Sequence, residues 1–232
     1  MRYILTILTA IAVAAVLGIA GMEYFGGPSS ERQASQTATS PAAPATPAAV
    51  AAKAAPVEIG ADEFIMGDAN APVTIIEYAS LTCPHCANFH LNILPKLKKS
   101  YIDTGKARLV YRDFPLDRLA LSGSMMARCA GRERYFGFID TMYRKQASWK
   151  AAKDQLKALA RIGLLGGMSQ KDFDACMNNK ALEDRVMAMR LDAQNEFAID
   201  STPSFIIDGK KYPGVVDFAR FEKILEPLLK QQ

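Results

Sequence analysis

Cys83-Pro84-His85-Cys86 is the stretch that most restricts what this chain can become. Two thiols two residues apart form a unit that switches between dithiol and disulfide. An apolar run precedes it, Val73-Thr74-Ile75-Ile76-Glu77-Tyr78-Ala79, with the length and β-branched content of a buried strand. After it, Phe89, Ile93, Leu94, Leu97 and Tyr101 recur at helical spacing. Strand, C-x-x-C, helix is the context in which the motif signals redox chemistry rather than chance.

The rest of the chain predicts an α/β domain. Asp62 to Gly67 forms a short first strand, and Gly67-Asp68-Ala69-Asn70-Ala71-Pro72 is a turn cluster. The helix opened by Pro84 runs to about Tyr101, with a kink at Pro95, which removes a hydrogen bond to the Leu91 carbonyl. Arg108 to Phe114 is the next strand, ended by Pro115. From about Ser122 to Phe197 the pattern is helical throughout. One helix carries Met125, Met126, Cys129, Phe136, Ile139 and Tyr143, and Ser169 with Asp172 resembles a capping box. The period then changes: Pro203 to Tyr212 is a hairpin turning at Asp208-Gly209. Phe218, Phe221, Ile224, Leu225, Leu228 and Leu229 make an amphipathic closing helix. A βαβ half, a helical insert and a ββα half result.

Ahead of this domain lie two other segments. Tyr3 to Met22 is a run of 20 residues without a charge, about 30 Å as a helix, the thickness of a bilayer core. Two readings compete: a signal peptide cut after Gly18-Ile19-Ala20, or an uncleaved anchor. Either one exports the remainder, and Arg2 favours that orientation. Residues 23–56 are rich in Pro, Ala, Ser and Thr, too poor in apolar surface to offset their ordering entropy, and are expected to be a linker. The folded domain is expected over 57–232. Net charge is +4 and scattered, which excludes a nucleic-acid-binding class.

Reactivity in the motif depends on a thiolate. Cys83 at a helix N-terminus gains from unpaired N–H groups and the helix dipole, and His85 adds a further stabiliser. A stabilised thiolate makes the disulfide a stronger oxidant. Cys86, one turn in, is the buried resolving thiol. Glu77 has two readings: an exposed residue on a polar strand edge, or a buried carboxylate near Cys86 that moves protons during exchange. Cys83, Cys86 and His90 have a Cys-x₂-Cys-x₃-His spacing, but three ligands on one short segment make a poor zinc site, and no metal is expected. His90 is expected on the helix surface.

Cys83-Pro84-His85-Cys86, its lead-in from Glu77, and Thr202-Pro203-Ser204-Phe205 followed by Asp208-Gly209 together resemble the DsbA family of bacterial periplasmic thiol:disulfide oxidoreductases. The likeness covers about Val57 to Lys230. It implies a thioredoxin fold with an inserted α-helical subdomain, the thioredoxin part at about 57–116 and 198–232 and the insert at about 117–197. It implies that Cys83 is the nucleophile and Cys86 its partner, and that Thr202 and a cis Pro203 pack on the disulfide and bind substrate backbone. Its implied substrates are reduced, unfolded exported proteins. Its implied reoxidant is a membrane quinone-linked oxidase of the DsbB type, with no organic cofactor. Some members carry a second, structural disulfide in the insert, and Cys129 with Cys176 looks like one; two buried free thiols, or a second redox pair, are the other readings.

Two further function classes stay open. One is a reductase or isomerase of the same fold, although isomerases of this type add a dimerisation domain and residues 23–56 are too polar to be one, which favours a monomer. The other is a tethered chaperone or assembly module, disfavoured by the intact thiol pair.

Overall fold

The computed structural model describes residues 57–214 and 217–231; the anchor-or-signal segment and the linker lie outside the described residues. Among the described residues no helix is long and apolar enough to cross a membrane.

Five strands form one mixed sheet: β1 (Phe64–Met66), β2 (Val73–Ala79), β3 (Ala107–Asp113), β4 (Ser204–Ile207) and β5 (Lys210–Pro213). Their spatial order is β1-β3-β2-β4-β5. The β2 and β3 strands run parallel, paired from Val73↔Ala107 to Ala79↔Asp113, and the other pairs are antiparallel. As the middle strand, β2 has both faces covered, which is why its sequence is a nearly unbroken apolar run. The period of two still sorts its side chains. Val73 and Ile75 pack with Phe89, Leu97, Phe205 and Phe221 on one face, while Ile76 and Tyr78 pack with Val110, Phe114 and Ala193 on the other. Glu77 shares the face of Ile75.

The connection from β2 to β3 is a helix over residues 84–102, α1. Its α-helical turns Pro84–Asn88 and Leu94–Leu97 alternate with the π-helical turns Phe89–Ile93 and Lys98–Ile102. The expected kink at Pro95 is thus absorbed by a wide turn just before it, where the Leu94 N–H reaches back to the Phe89 carbonyl. An extra residue in that turn gives the proline ring clearance from the Leu91 carbonyl.

Between β3 and β4 run α2 (Arg118–Cys129), α3 (Arg132–Arg144), α4 (Gln146–Lys150), α5 (Gln155–Leu165), α6 (Gln170–Met177) and α7 (Lys180–Phe197). Asp117, Asp154, Ser169 and Asn179 cap four of them by accepting from a backbone N–H three residues on. The single helix expected to carry both Met125 and Tyr143 is two, broken at Gly131, whose φ of 84° lies in the region that glycine adopts without strain. At the hairpin, Asp208 (φ 50°) and Gly209 (φ 70°) are both left-handed, as a two-residue primed turn requires. The closing helix α8 (Phe218–Leu229) packs Phe221 and Leu225 against β4 and α1.

Cys129, ending α2, is bonded to Cys176 of α6, 47 positions later in sequence, with Cα atoms 6.1 Å apart. Replacing both by alanine is expected to lower stability by up to about 4 kcal/mol on the chain-entropy account. Denaturant unfolding of the double variant under oxidising conditions measures it; an unchanged midpoint would assign the bond no role in the fold.

Candidate active site

The β2 strand ends at Ala79, and the Cys83 N–H closes a turn onto the Ser80 carbonyl at 3.1 Å. Cys83 is the N-cap of α1, with extended backbone (φ −77°, ψ 123°), and Pro84 occupies the first turn. The sulfur therefore sits where a capping oxygen ordinarily would, facing the unpaired N–H groups of the first turn. Its pKa falls from 9.0 to about 5. The largest contribution is the hydrogen bond from the Cys86 thiol; Thr202 and the N–H groups of Cys86 and His85 add to it, and partial burial opposes them. Cys86, 0 % exposed, is pushed the other way. Burial raises its pKa well above 9.0, aided by its hydrogen bond to Cys83 and the charge of Glu77.

The Cys83 thiol donates to the Thr202 carbonyl at 3.2 Å, across 119 residues of sequence. The Thr202–Pro203 bond is cis, and Pro203 is buried. The Thr202 hydroxyl is buried with no partner while Cys83 is a thiol. Pro84 and His85 are exposed. His85 supplies a backbone N–H to the sulfur, and its ring makes no hydrogen bond among the described residues.

Beneath the sulfurs the structure corrects one expectation. His90 is buried, not on the helix surface, and its Nε2 lies 2.9 Å from Glu77 Oε2. Glu77 itself is 0 % exposed, which removes the polar-edge reading of that residue; its other oxygen, Oε1, has no partner. The His90 ring stacks on Tyr143 at 4.4 Å, and the Tyr143 hydroxyl meets that of Tyr111 at 3.0 Å. The sequence held a signal for this: His90 is four residues after Cys86, hence on the same inward helix face, and Glu77 shares the sheet face that α1 covers. His90 Nε2 faces Glu77, and among the described residues no cluster of His, Cys, Asp and Glu is arranged to hold a metal ion.

Sequence reasoning also missed the insert's contribution. Gln146 and Lys150 both reach the turn that carries Cys83. The Cys129–Cys176 bond lies within the insert, joining α2 to α6.

Two outcomes follow from this geometry. Cys83 loses its proton near pH 5 when folded and near 9.0 when unfolded, so between those values the unfolded reduced chain binds more protons and folding gains stability with rising pH. Chemical unfolding should show the reduced form gaining on the oxidised form from about pH 5 to 9, with the gain gone below 5; parallel pH profiles would contradict the thiolate assignment. Replacing His90 by alanine leaves the buried Glu77 carboxyl without its hydrogen-bond partner and should cost about 1–3 kcal/mol in chemical unfolding, more than replacing Glu77 and His90 together by leucine.

The protein-family model described as Thioredoxin matches residues 61–227. A curated relative from Rickettsia bellii, named a putative protein-disulfide oxidoreductase, is 31% identical over 153 residues, covering 66% of this chain and 59% of that protein. The chain thus spans less than two thirds of that relative's length. Among solved structures, alpha-DsbA1 of Wolbachia pipientis is 34% identical with a TM-score of 0.69, covering 75% of this chain and 94% of that one. A protein-disulfide isomerase from Novosphingobium aromaticivorans is 26% identical with a TM-score of 0.64, covering 72% and 97%.

Proposed function

The chain belongs to the thioredoxin family, among its DsbA-type disulfide oxidoreductases, and from that premise we propose that it is exported to the periplasm and introduces disulfides into reduced proteins there. The observation that carries the direction of electron flow is the opposed environment of the two sulfurs. Cys83 is stabilised as an anion and Cys86 is not, so the reduced enzyme is favoured and its disulfide is a strong oxidant.

A substrate thiolate attacks Cys83 Sγ of the Cys83–Cys86 disulfide. The new bond joins substrate sulfur to Cys83, the old bond breaks, and Cys86 departs with the electron pair and takes up a proton. A second substrate thiolate then attacks the substrate sulfur of the mixed disulfide, and Cys83 leaves as its thiolate. Two electrons have moved from substrate to enzyme. Thr202, whose carbonyl lies beside Cys83, and Pro203 after it are suited to align the substrate backbone, and the Thr202 hydroxyl is suited to donate to the departing thiolate. Glu77, buried on the face below α1, is the group suited to exchange a proton with Cys86.

Recovery of the disulfide falls to a membrane quinone-linked oxidase of the DsbB type. Residues 3–22 supply the export signal or the anchor. The second reading is a reductase or isomerase, since the N. aromaticivorans neighbour carries the isomerase name. Reduction potential separates the two: an oxidase lies well above the ~−270 mV of thioredoxin, a reductase near it. Cys83→Ser should abolish oxidation of a reduced test protein, and retained activity would sink the proposal.

A further inference from the structure

The turn that holds the nucleophile is gripped from the insert. Four consecutive carbonyls of residues 80–83 accept from insert side chains. Tyr143 Oη donates to the Ser80 carbonyl at 3.3 Å, and Lys150 Nζ to that of Thr82 at 2.6 Å. Gln146 Nε2 divides itself between Leu81 (2.7 Å) and Cys83 (2.9 Å). Gln146 and Lys150 are the two ends of the single turn α4, four residues apart and so on one face. Trp149, 2 % exposed, fastens that turn to α3 by donating from Nε1 to the Met142 carbonyl at 2.8 Å. Thr82 is held a second time, its hydroxyl donating to Asp117 at 2.7 Å. Lys150 is half-buried and, among the described ion pairs, has no carboxylate partner; its ammonium is committed to a backbone carbonyl one residue before the nucleophile.

We propose that Gln146 and Lys150 are positioning residues that set how oxidising the Cys83–Cys86 couple is. By turning the carbonyls of Leu81, Thr82 and Cys83 onto the insert, they fix the three peptide planes that aim Cys83 Sγ at the N–H groups of His85 and Cys86. The same bonds leave the carbonyl dipoles partnered by a cation and an amide rather than free to swing toward the thiolate. The anion is then stabilised by an arrangement, not by the four-residue motif alone. The two residues act through the turn and touch no reacting atom. The inference rests on the redox function proposed above.

The test uses the full chain with Lys150→Met, Gln146→Leu and Lys150→Arg. Equilibrium with glutathione and the pH titration of thiolate ultraviolet absorbance are read for each. Lys150→Met is expected to move the glutathione equilibrium toward the enzyme disulfide by about tenfold, the lower end of the scale of one lost charge-assisted hydrogen bond, and to raise the thiolate midpoint above about 5. Lys150→Arg restores both. Gln146→Leu shifts them the same way, and if it does not fold, the half-exposed Lys150 variants still decide. A stabilising role alone would lower the unfolding midpoint of both redox forms and leave the titration in place. Equal titrations and equal equilibria for the natural chain and Lys150→Met overturn this proposal; a natural chain that does not exchange with glutathione at all overturns the function on which it rests.

Discussion

Two sulfur atoms one helical turn apart occupy opposite environments, and the rest of the site depends on that difference. Cys83 meets the open N-terminal end of α1, a thiol donor and a hydroxyl across the cis-proline loop. Cys86 meets a closed interior with a carboxyl group on the sheet below. A helix N-terminus offers donors only to the first residues at its mouth. The spacing of two intervening residues therefore does more than permit a disulfide: it puts one partner in the donors' reach and the other under the helix. The proposed exchange uses that difference: one sulfur is stabilised as an anion and is a good leaving group, while the other is reluctant to ionise and lies buried.

Burying a carboxyl group below that helix carries a desolvation cost, and the structure meets it with directed bonds. Glu77 pairs with His90, whose ring lies on Tyr143, whose hydroxyl joins Tyr111. A second buried pair, Arg128 with Asp113 at 2.6 Å, lies where α2 crosses the end of β3. Buried polar pairs of this kind contribute little net stability compared with apolar packing, but a partner removed is costly. Their effect is to define one arrangement of insert on sheet. Misplacing α3 by one turn would strip Tyr143 of its bonds to Tyr111 and Ser80 and His90 of the ring it stacks on, and that penalty specifies the register at which the insert docks.

Much of this was legible from local pattern. The middle strand, the helix opened by Pro84, the Asp208-Gly209 hairpin and the closing helix each announce themselves within ten or so residues, because periodicity and turn chemistry act at short range. The break at Gly131 was hidden by apolar residues that keep helical spacing on both sides of it. His90 was misplaced because a histidine two turns into a helix is usually solvated; only its offset of four from Cys86, combined with the face shared by Glu77 and Ile75, puts it inside. Gln146 and Lys150 had no signal at all. A glutamine and a lysine in a polar helix turn are ordinary surface residues until a chain 63 to 68 residues upstream brings its carbonyls to them. Long-range hydrogen bonding to backbone leaves no trace in side-chain spacing.

The site is thus assembled from three parts of the chain that meet only in the fold: the β2–α1 turn, the α3–α4 corner of the insert and the Thr202–Pro203 loop. They differ in how they are secured. The Cys129–Cys176 bond ties α2 to α6, whereas α4 is held by Trp149 and by its own bonds to the turn. A thiol exchanger benefits from that separation. The proposed chemistry would convert a disulfide into two thiols at every cycle, so a grip on Cys83 that depended on a nearby cystine would be exposed to the same reductants as the active pair. Hydrogen bonds to carbonyl oxygens are indifferent to redox state, and they can hold Cys83 in one orientation through both halves of the cycle while only the sulfur–sulfur bond changes.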